Sequence, residues 1–242
     1  MEVGEKRVKG GILRYEGEEL LYLSDRTQVT RCSSPKGPGV VCKHATGAGA
    51  TRRIEHERAV LEKLAGLPGI PRLAAYQSRR TLVLEDDGGA PPPAGPMPLP
   101  DLVRTAHALA GTLAAVHRAG VLHRDITPAN VVLRSRAPTL LIDFDLAVTG
   151  APEPGEGLVG TLGFLAPEQT GRTGLSIDRR TDLYGLGATL YALATGTPPV
   201  TGHDPLELMH ATLVGTPAAP DLPPRLRDII MRLLEKDPDQ RY

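Results

Sequence analysis

The sequence predicts an α+β protein: a small antiparallel β-rich lobe carrying one helix, then a larger, mainly helical lobe. Three observations predict it. Short runs with strand-like alternation crowd the first 87 positions. A proline- and glycine-rich stretch, "GGAPPPAGPMPLP" at 88–100, then interrupts the chain. Beyond it, segments of helical spacing fill much of 101–242. The expected organisation is a first lobe over 1–87, a hinge over 88–100 and a second lobe over 101–242, with a cleft between the lobes.

Each element has its own signal. "ELLYLS" and "TQVTRCS" read as two strands, and "GVVCKHA" as a third after the turn "SPKGPG". "TRRIEHERAVLEKLAGL" places Ile54, Val60, Leu61 and Leu64 at the period of an amphipathic helix, stopped by Gly66 and Pro68. "TLVLEDD" is a further strand. After the hinge, "DLVRTAHALAGTLAAVHRAG" reads as a helix with Asp101 as N-cap and Gly120 as its stop. "HRDITPAN" is a loop, "VVLR" a short strand and "TLLIDFDLA" another. "TDLYGLGATLYALATG", "DPLELMHATLVG" and "PRLRDIIMRLLEKD" are helices.

Composition narrows the function classes. Lys plus Arg is 28 and Asp plus Glu is 28, so the zero net charge argues against nucleic-acid and membrane-surface partners. No apolar run is long enough to span a bilayer, and "MEVGEKRVKGGILRY" lacks the apolar centre of a signal peptide. Cys32 and Cys42 have no metal-type spacing; a reduced, cytoplasmic setting fits them better than a disulfide framework. His44, His56, His107, His117, His203 and His210 form no metal-spaced cluster and read as surface or packing residues.

Another set of residues carries chemistry. Lys43 closes the strand "VVCK", and Glu57 lies 14 residues further on, mid-helix, where it can orient the lysine. Asp125 and Asn130 share the loop "HRDITPAN". Asp143 follows a strand, 18 residues after Asp125, and "GTLGFLAPEQ" supplies Thr161. Phosphoryl transfer from ATP needs these types: positive charge on the phosphates, amide or acidic ligands for Mg²⁺, and a carboxylate aligning the acceptor hydroxyl.

The motifs resemble those of the eukaryotic-like serine/threonine protein kinases over nearly the whole chain. "HRDITPAN" resembles the H-R-D-L-x-x-x-N loop, "IDFD" the D-F-G motif, "APE" the A-P-E motif and "VVCK" the V-A-I-K strand. The resemblance implies a protein kinase-like fold and ATP- and Mg²⁺-dependent transfer to serine or threonine hydroxyls of a protein substrate. It implies that Lys43, held by Glu57, contacts the α/β-phosphates. Asp125 would be the base or hydroxyl-orienting group, and Asn130 and Asp143 the Mg²⁺ ligands. Val29, Val41 and Val132 would sandwich the adenine, and Glu85 and Asp87 would offer it hinge backbone groups beside Leu84 as gatekeeper. Thr161 would shape the acceptor site. Asp182 is expected to bond the catalytic loop, Arg241 to pair with Glu168, and His123 to pack near Asp143.

A narrower similarity is to the N-terminal kinase domains of very large bacterial signalling proteins, which continue into AAA-type ATPase and sensor or histidine-kinase modules. It implies that this chain is one module of such a protein or a relative of it, with a final helix expected after Tyr242.

Some features depart from the pattern. "LSDRTQV" at 23–29 stands where a glycine-rich phosphate loop is expected; the alternatives are a loop that sits higher, weaker ATP binding, or use of the Ser24 and Thr27 hydroxyls instead. Thr127 occupies the position of a γ-phosphate lysine, for which Arg172 is a candidate replacement. Asp145 replaces the glycine of D-F-G, where an unusual backbone angle is expected. Arg124 is of the kind that receives an activation-loop phosphate; the following stretch offers Thr149 as acceptor and Glu153 and Glu156 as built-in substitutes. The alternatives are a weak or inactive kinase-like regulatory domain and, further off, a small-molecule phosphotransferase of the aminoglycoside or choline kinase type. The A-P-E segment opposes the last.

Overall fold

The computed structural model describes residues 17–33, 39–75, 78–86, 88–135, 137–150 and 159–242, and the backbone of 4–8 and 11–15. The chain divides into two compact units: Met1–Gly66 with Ile70–Gly89, and Leu67–Gly69 with Ala90–Tyr242.

The first unit is built on sheets. β1 (Gly4–Val8) and β2 (Gly11–Tyr15) form an antiparallel hairpin that sequence reading did not anticipate. Its first strand, GEKRV, is charged and lacks apolar alternation. β3 (Gly17–Leu23), β4 (Thr27–Ser33), β5 (Val40–Ala45) and β6 (Thr81–Glu85) make one antiparallel sheet in sequence order, with α1 (Ala50–Lys63) inserted before β6.

The sheet's period of two separates its faces. Cys32, Val40, Cys42 and Val83 are buried together with Ala74. The opposite face carries the rows Val29–Lys43–Leu82 and Arg31–Val41–Leu84, directly paired across β4, β5 and β6. In α1, Ala50, Ile54, Glu57 and Leu61 recur at helical spacing on the buried side. Glu57 is therefore a carboxylate on an apolar face and needs a partner there.

The second unit is mainly helical. α2 (Leu99–Arg118) buries Leu102, Leu109, Leu113 and Val116. It starts earlier than expected: Pro98 is the N-cap, so the hinge stretch contributes two helical residues and Asp101 sits within the first turn. Pro100 is tolerated there because first-turn N–H groups have no intrahelical acceptor.

Short strands follow. β7 (Val121–Leu122) pairs with a later strand, β8 (Val131–Val132) pairs with β9 (Leu140–Leu141), and β10 (Val148–Thr149) is the partner of β7. The strand expected over "TLLIDFDLA" is thus only two residues long, because Asp143 turns the backbone left-handed with φ 67°.

α3 (Arg179–Thr195) is buried on most of its surface, whereas α4 (Pro205–Val214) and α5 (Pro224–Leu233) bury few residues. Asp178 caps α3 by accepting from Arg180 N at 2.8 Å. Two glycines let neighbours approach α3: a Cβ on Gly185 would lie 3.2 Å from Ile126 Cβ, and one on Gly187 would lie 2.6 Å from Leu233 Cβ. Among the described residues, no helix is long and apolar enough to cross a membrane.

Candidate active site

In the sheet unit, the buried carboxylate of Glu57 meets the cation the sequence places nearest in role. Lys43 Nζ lies 2.8 Å from Glu57 Oε2, with side chains only 10% and 3% exposed. Both ions are largely desolvated, so each depends on the other. Val29 and Val41 share the sheet face of Lys43 and are half-buried. Glu85 ends β6; its amide donates to Arg72 O and its carboxylate pairs with Arg72 Nε at 2.8 Å. Asp87 lies outside the described residues.

The turn between β3 and β4 contains no glycine, and its geometry corrects one expectation. Ser24 Oγ accepts from the amides of Arg26 and Thr27 at 3.3 and 3.1 Å. The Ser24 hydroxyl is thus used to build its own turn. Arg53, from α1, donates to Arg26 O and Thr46 O and fastens the same tip.

In the helical unit, α3 is the post on which the loop 123–130 is hung. The Asp182 carboxylate accepts from His123 N at 2.9 Å and Arg124 N at 2.7 Å. Thr189 Oγ1 donates to Ile126 O at 2.9 Å. His117, read as a surface or packing residue, packs with its Nε2 2.8 Å from Asp182 Oδ2. Nothing local to His117 signals this, since its partner is 65 residues away.

The loop brings Asp125, Asn130 and Thr161 together. Asn130 Nδ2 donates to Asp125 O at 2.8 Å and to Asp125 Oδ2 at 3.0 Å. The Thr161 amide donates to Asp125 Oδ1 at 2.8 Å. Each carboxylate oxygen is thereby fixed and keeps capacity for one more donor. Because Asn130 spends its amide nitrogen on Asp125, the group it offers a ligand is its oxygen.

Ile142 N donates to Asn130 O at 2.9 Å, tying the strand before Asp143 to the loop. An amide oxygen and a carboxylate are hard donors, a set that suits Mg²⁺, which takes few protein ligands beside phosphate and water. Val132, in β8, is half-buried. His123 is fully buried, edge-on to Phe144 with ring centroids 4.6 Å apart.

The positions that depart from the motif pattern take these places. Thr127 is 2% exposed, and its carbonyl accepts from Asn130 N at 3.0 Å, so it is a packed turn residue. The unusual backbone angle expected at Asp145 occurs at Asp143, with another at Arg124 (φ 66°). Arg124 is buried and its Nε donates to Leu146 O at 2.8 Å. Thr149 is exposed in β10, while Glu153 and Glu156 lie outside the described residues.

A second charged cluster anchors the unit. Arg241 forms a double bond set with Glu168, Nη1–Oε1 at 2.7 Å and Nη2–Oε2 at 3.0 Å, and both side chains are 0% exposed. This is the pairing the sequence predicts. Thr181 Oγ1 also donates to Glu168 Oε1 at 2.9 Å. Tyr184 lies against it, with Arg241 Cζ 5.0 Å from its ring centroid. Burial pushes the Tyr184 hydroxyl up to about 12. Lys236 donates to Thr212 O at 2.8 Å; burial, reinforced by the Arg241 charge, lowers it to about 8.

The sheet unit thus holds a buried Lys–Glu pair, and the helical unit a carboxylate held between an Asn side chain and a backbone amide. Residues 92–242 match the family described as protein kinase domain. A probable serine/threonine-protein kinase of Streptomyces coelicolor is 36% identical over 153 residues, 57% of this chain and 22% of that protein. The serine/threonine-protein kinases PknB of Mycolicibacterium smegmatis and Mycobacterium tuberculosis are 29% and 30% identical over 202 residues, 70% of this chain and 32% of theirs. The chain belongs to the protein kinase family and is related to bacterial serine/threonine kinases. It spans between about a fifth and a third of the length of these curated relatives.

Proposed function

We propose that this chain transfers the γ-phosphate of ATP to serine or threonine hydroxyls of proteins. The observation that carries the reading is the Asp125 carboxylate, oriented by Asn130 Nδ2 and Thr161 N. It can accept the proton of an acceptor hydroxyl without first being reoriented. Lys43, fixed by Glu57, places a cation for the α/β-phosphates. Val29, Val41 and Val132 contact the adenine, and Glu85 and Asp87 present backbone groups to it. Asn130 and Asp143 would hold Mg²⁺, which when bound would offset phosphate charge. Thr161 borders the acceptor hydroxyl. The domain works in the cytoplasm as a signalling module, joined to or associated with ATPase and sensor modules.

A second reading has its own support. Thr127 is buried where a lysine would serve the γ-phosphate, and the Ser24 hydroxyl is used within its turn. Both favour a catalytically weak domain that binds nucleotide and regulates a larger protein. Labelled ATP, Mg²⁺ and a basic protein acceptor separate the two, with Asp125→Ala beside the wild type. Transfer by the wild type that is lost in Asp125→Ala supports the kinase. Nucleotide binding without transfer refutes it in favour of the regulatory domain.

A further inference from the structure

On the sheet face that carries Lys43 stands a second cation that no motif announces. Arg31 is the register partner of Val41 in β5 and lies two residues from Val29 along β4. An arginine among residues expected to meet a flat apolar base needs a reason. The structure gives its bonds. Arg31 Nε donates to Asp86 Oδ2 at 2.9 Å and Nη2 to Gly89 O at 3.0 Å. Nη1 reaches Glu19 Oε2 at 3.1 Å, across to β3. Asp86 is itself restrained: its Oδ1 accepts from Gly88 N at 3.0 Å, and its own amide donates to Gly39 O at 3.0 Å.

These bonds converge on one short stretch of chain, Asp86–Gly89, directly after Glu85. Asp86, Gly88 and Gly89 lie in no strand or helix and two of them are glycines, so their backbone has little intrinsic reason to hold one conformation. The planar guanidinium supplies the reason, because its fork bonds a side-chain carboxylate and a main-chain carbonyl three residues apart at once. The Asp86 arm is the strong one, at 30% and 15% side-chain exposure, whereas Glu19 is 64% exposed and contributes little.

We propose that Arg31 is a positioning residue for nucleotide binding: it clamps Asp86 and Gly89 and so preorganises the backbone after β6 that receives the base. The inference rests on the phosphotransfer reading above. A preorganised segment loses less freedom when the ligand arrives, so the clamp acts on affinity and not on the chemical step.

The test measures Mg²⁺–ADP binding by calorimetry, independently of transfer, and KM and kcat for ATP where transfer occurs. Arg31→Ala is expected to weaken ADP and raise KM by about tenfold, with kcat held within about twofold. Arg31→Lys should not rescue, since an ammonium cannot fork to both acceptors. Asp86→Asn, nearly isosteric, should weaken ADP in the same direction and decides the matter if Arg31→Ala fails to fold. The exchange Arg31→Asp with Asp86→Arg should recover part of the affinity, and Glu19→Gln should change it by less than about threefold. Wild-type affinity in both Arg31→Ala and Asp86→Asn, or a loss confined to kcat, overturns the clamp. A wild type that binds no nucleotide overturns the phosphotransfer reading itself.

Discussion

Removing the Arg241 guanidinium tests the energetics of the helical unit most directly. All of its donors are engaged: Nη1 and Nη2 on Glu168, Nη1 also on Arg180 O, Nη2 on Lys236 O at 3.2 Å and Nε on Glu235 O at 2.8 Å. Arg241→Ala leaves the Glu168 carboxylate in a site of 0% side-chain exposure with Thr181 Oγ1 as its remaining described donor. Breaking a buried pair from one side costs about 3–5 kcal/mol. At about 2–4 °C per kcal/mol for a chain of this size, the melting temperature should fall by about 6–20 °C. Far-ultraviolet circular dichroism during heating measures it. The double change Glu168→Leu with Arg241→Met should cost less than Arg241→Ala alone, because no charge is left unpaired. A melting temperature within about 2 °C of wild type in Arg241→Ala would refute the claim that this pair is a buried, mutually dependent one.

Other outcomes follow from the same geometry. Lys43→Met should lower kcat/KM for ATP by about two orders of magnitude or more and also remove the Lys43 ion from the buried Glu57 carboxylate, seen as a lower melting temperature; Glu57→Gln should lower kcat/KM less. The pH dependence of stability should carry the mark of Lys236. Its folded pKa is about 8, below the ordinary lysine value of 10.5, so between these values the unfolded chain binds more protons and stability rises with pH. Lys236→Met should remove that rise, measured by urea unfolding across the window. Tyr184 acts in the opposite sense: raised from 10.0 to about 12, it holds its proton in the fold, so stability falls as pH climbs above 10, and Tyr184→Phe should abolish the fall.

What the sequence revealed and what it hid follow from how local each signal is. The pairings of Lys43 with Glu57, Asp182 with the 123–124 amides and Arg241 with Glu168 were legible because each residue sits in a segment with a recognisable pattern. Long amphipathic helices such as α1 and α2 were legible from periodicity, although a proline N-cap displaced the start of α2. The β1–β2 hairpin was hidden because its strands are five residues each and the first is charged. The Arg31 and His117 contacts were hidden because their partners lie 55 and 65 residues away and nothing adjacent marks them. The burial of Thr127 was hidden because a motif position fixes a residue's neighbours in sequence but not whether its side chain faces in or out.

The two left-handed residues beside the candidate chemistry, Arg124 and Asp143, lead to a different kind of conclusion. Each holds a backbone that an L-residue disfavours by about 1–2 kcal/mol, and Arg124 is tied there by its amide on Asp182 and its Nε on Leu146 O. Glycine at 143 would relax that turn and remove the carboxylate in one stroke. On the phosphotransfer reading proposed above, selection for a sturdier chain and selection for a working site therefore pull this codon in opposite directions. In a lineage freed from the need for catalysis, position 143 is where the drift toward robustness should first become visible.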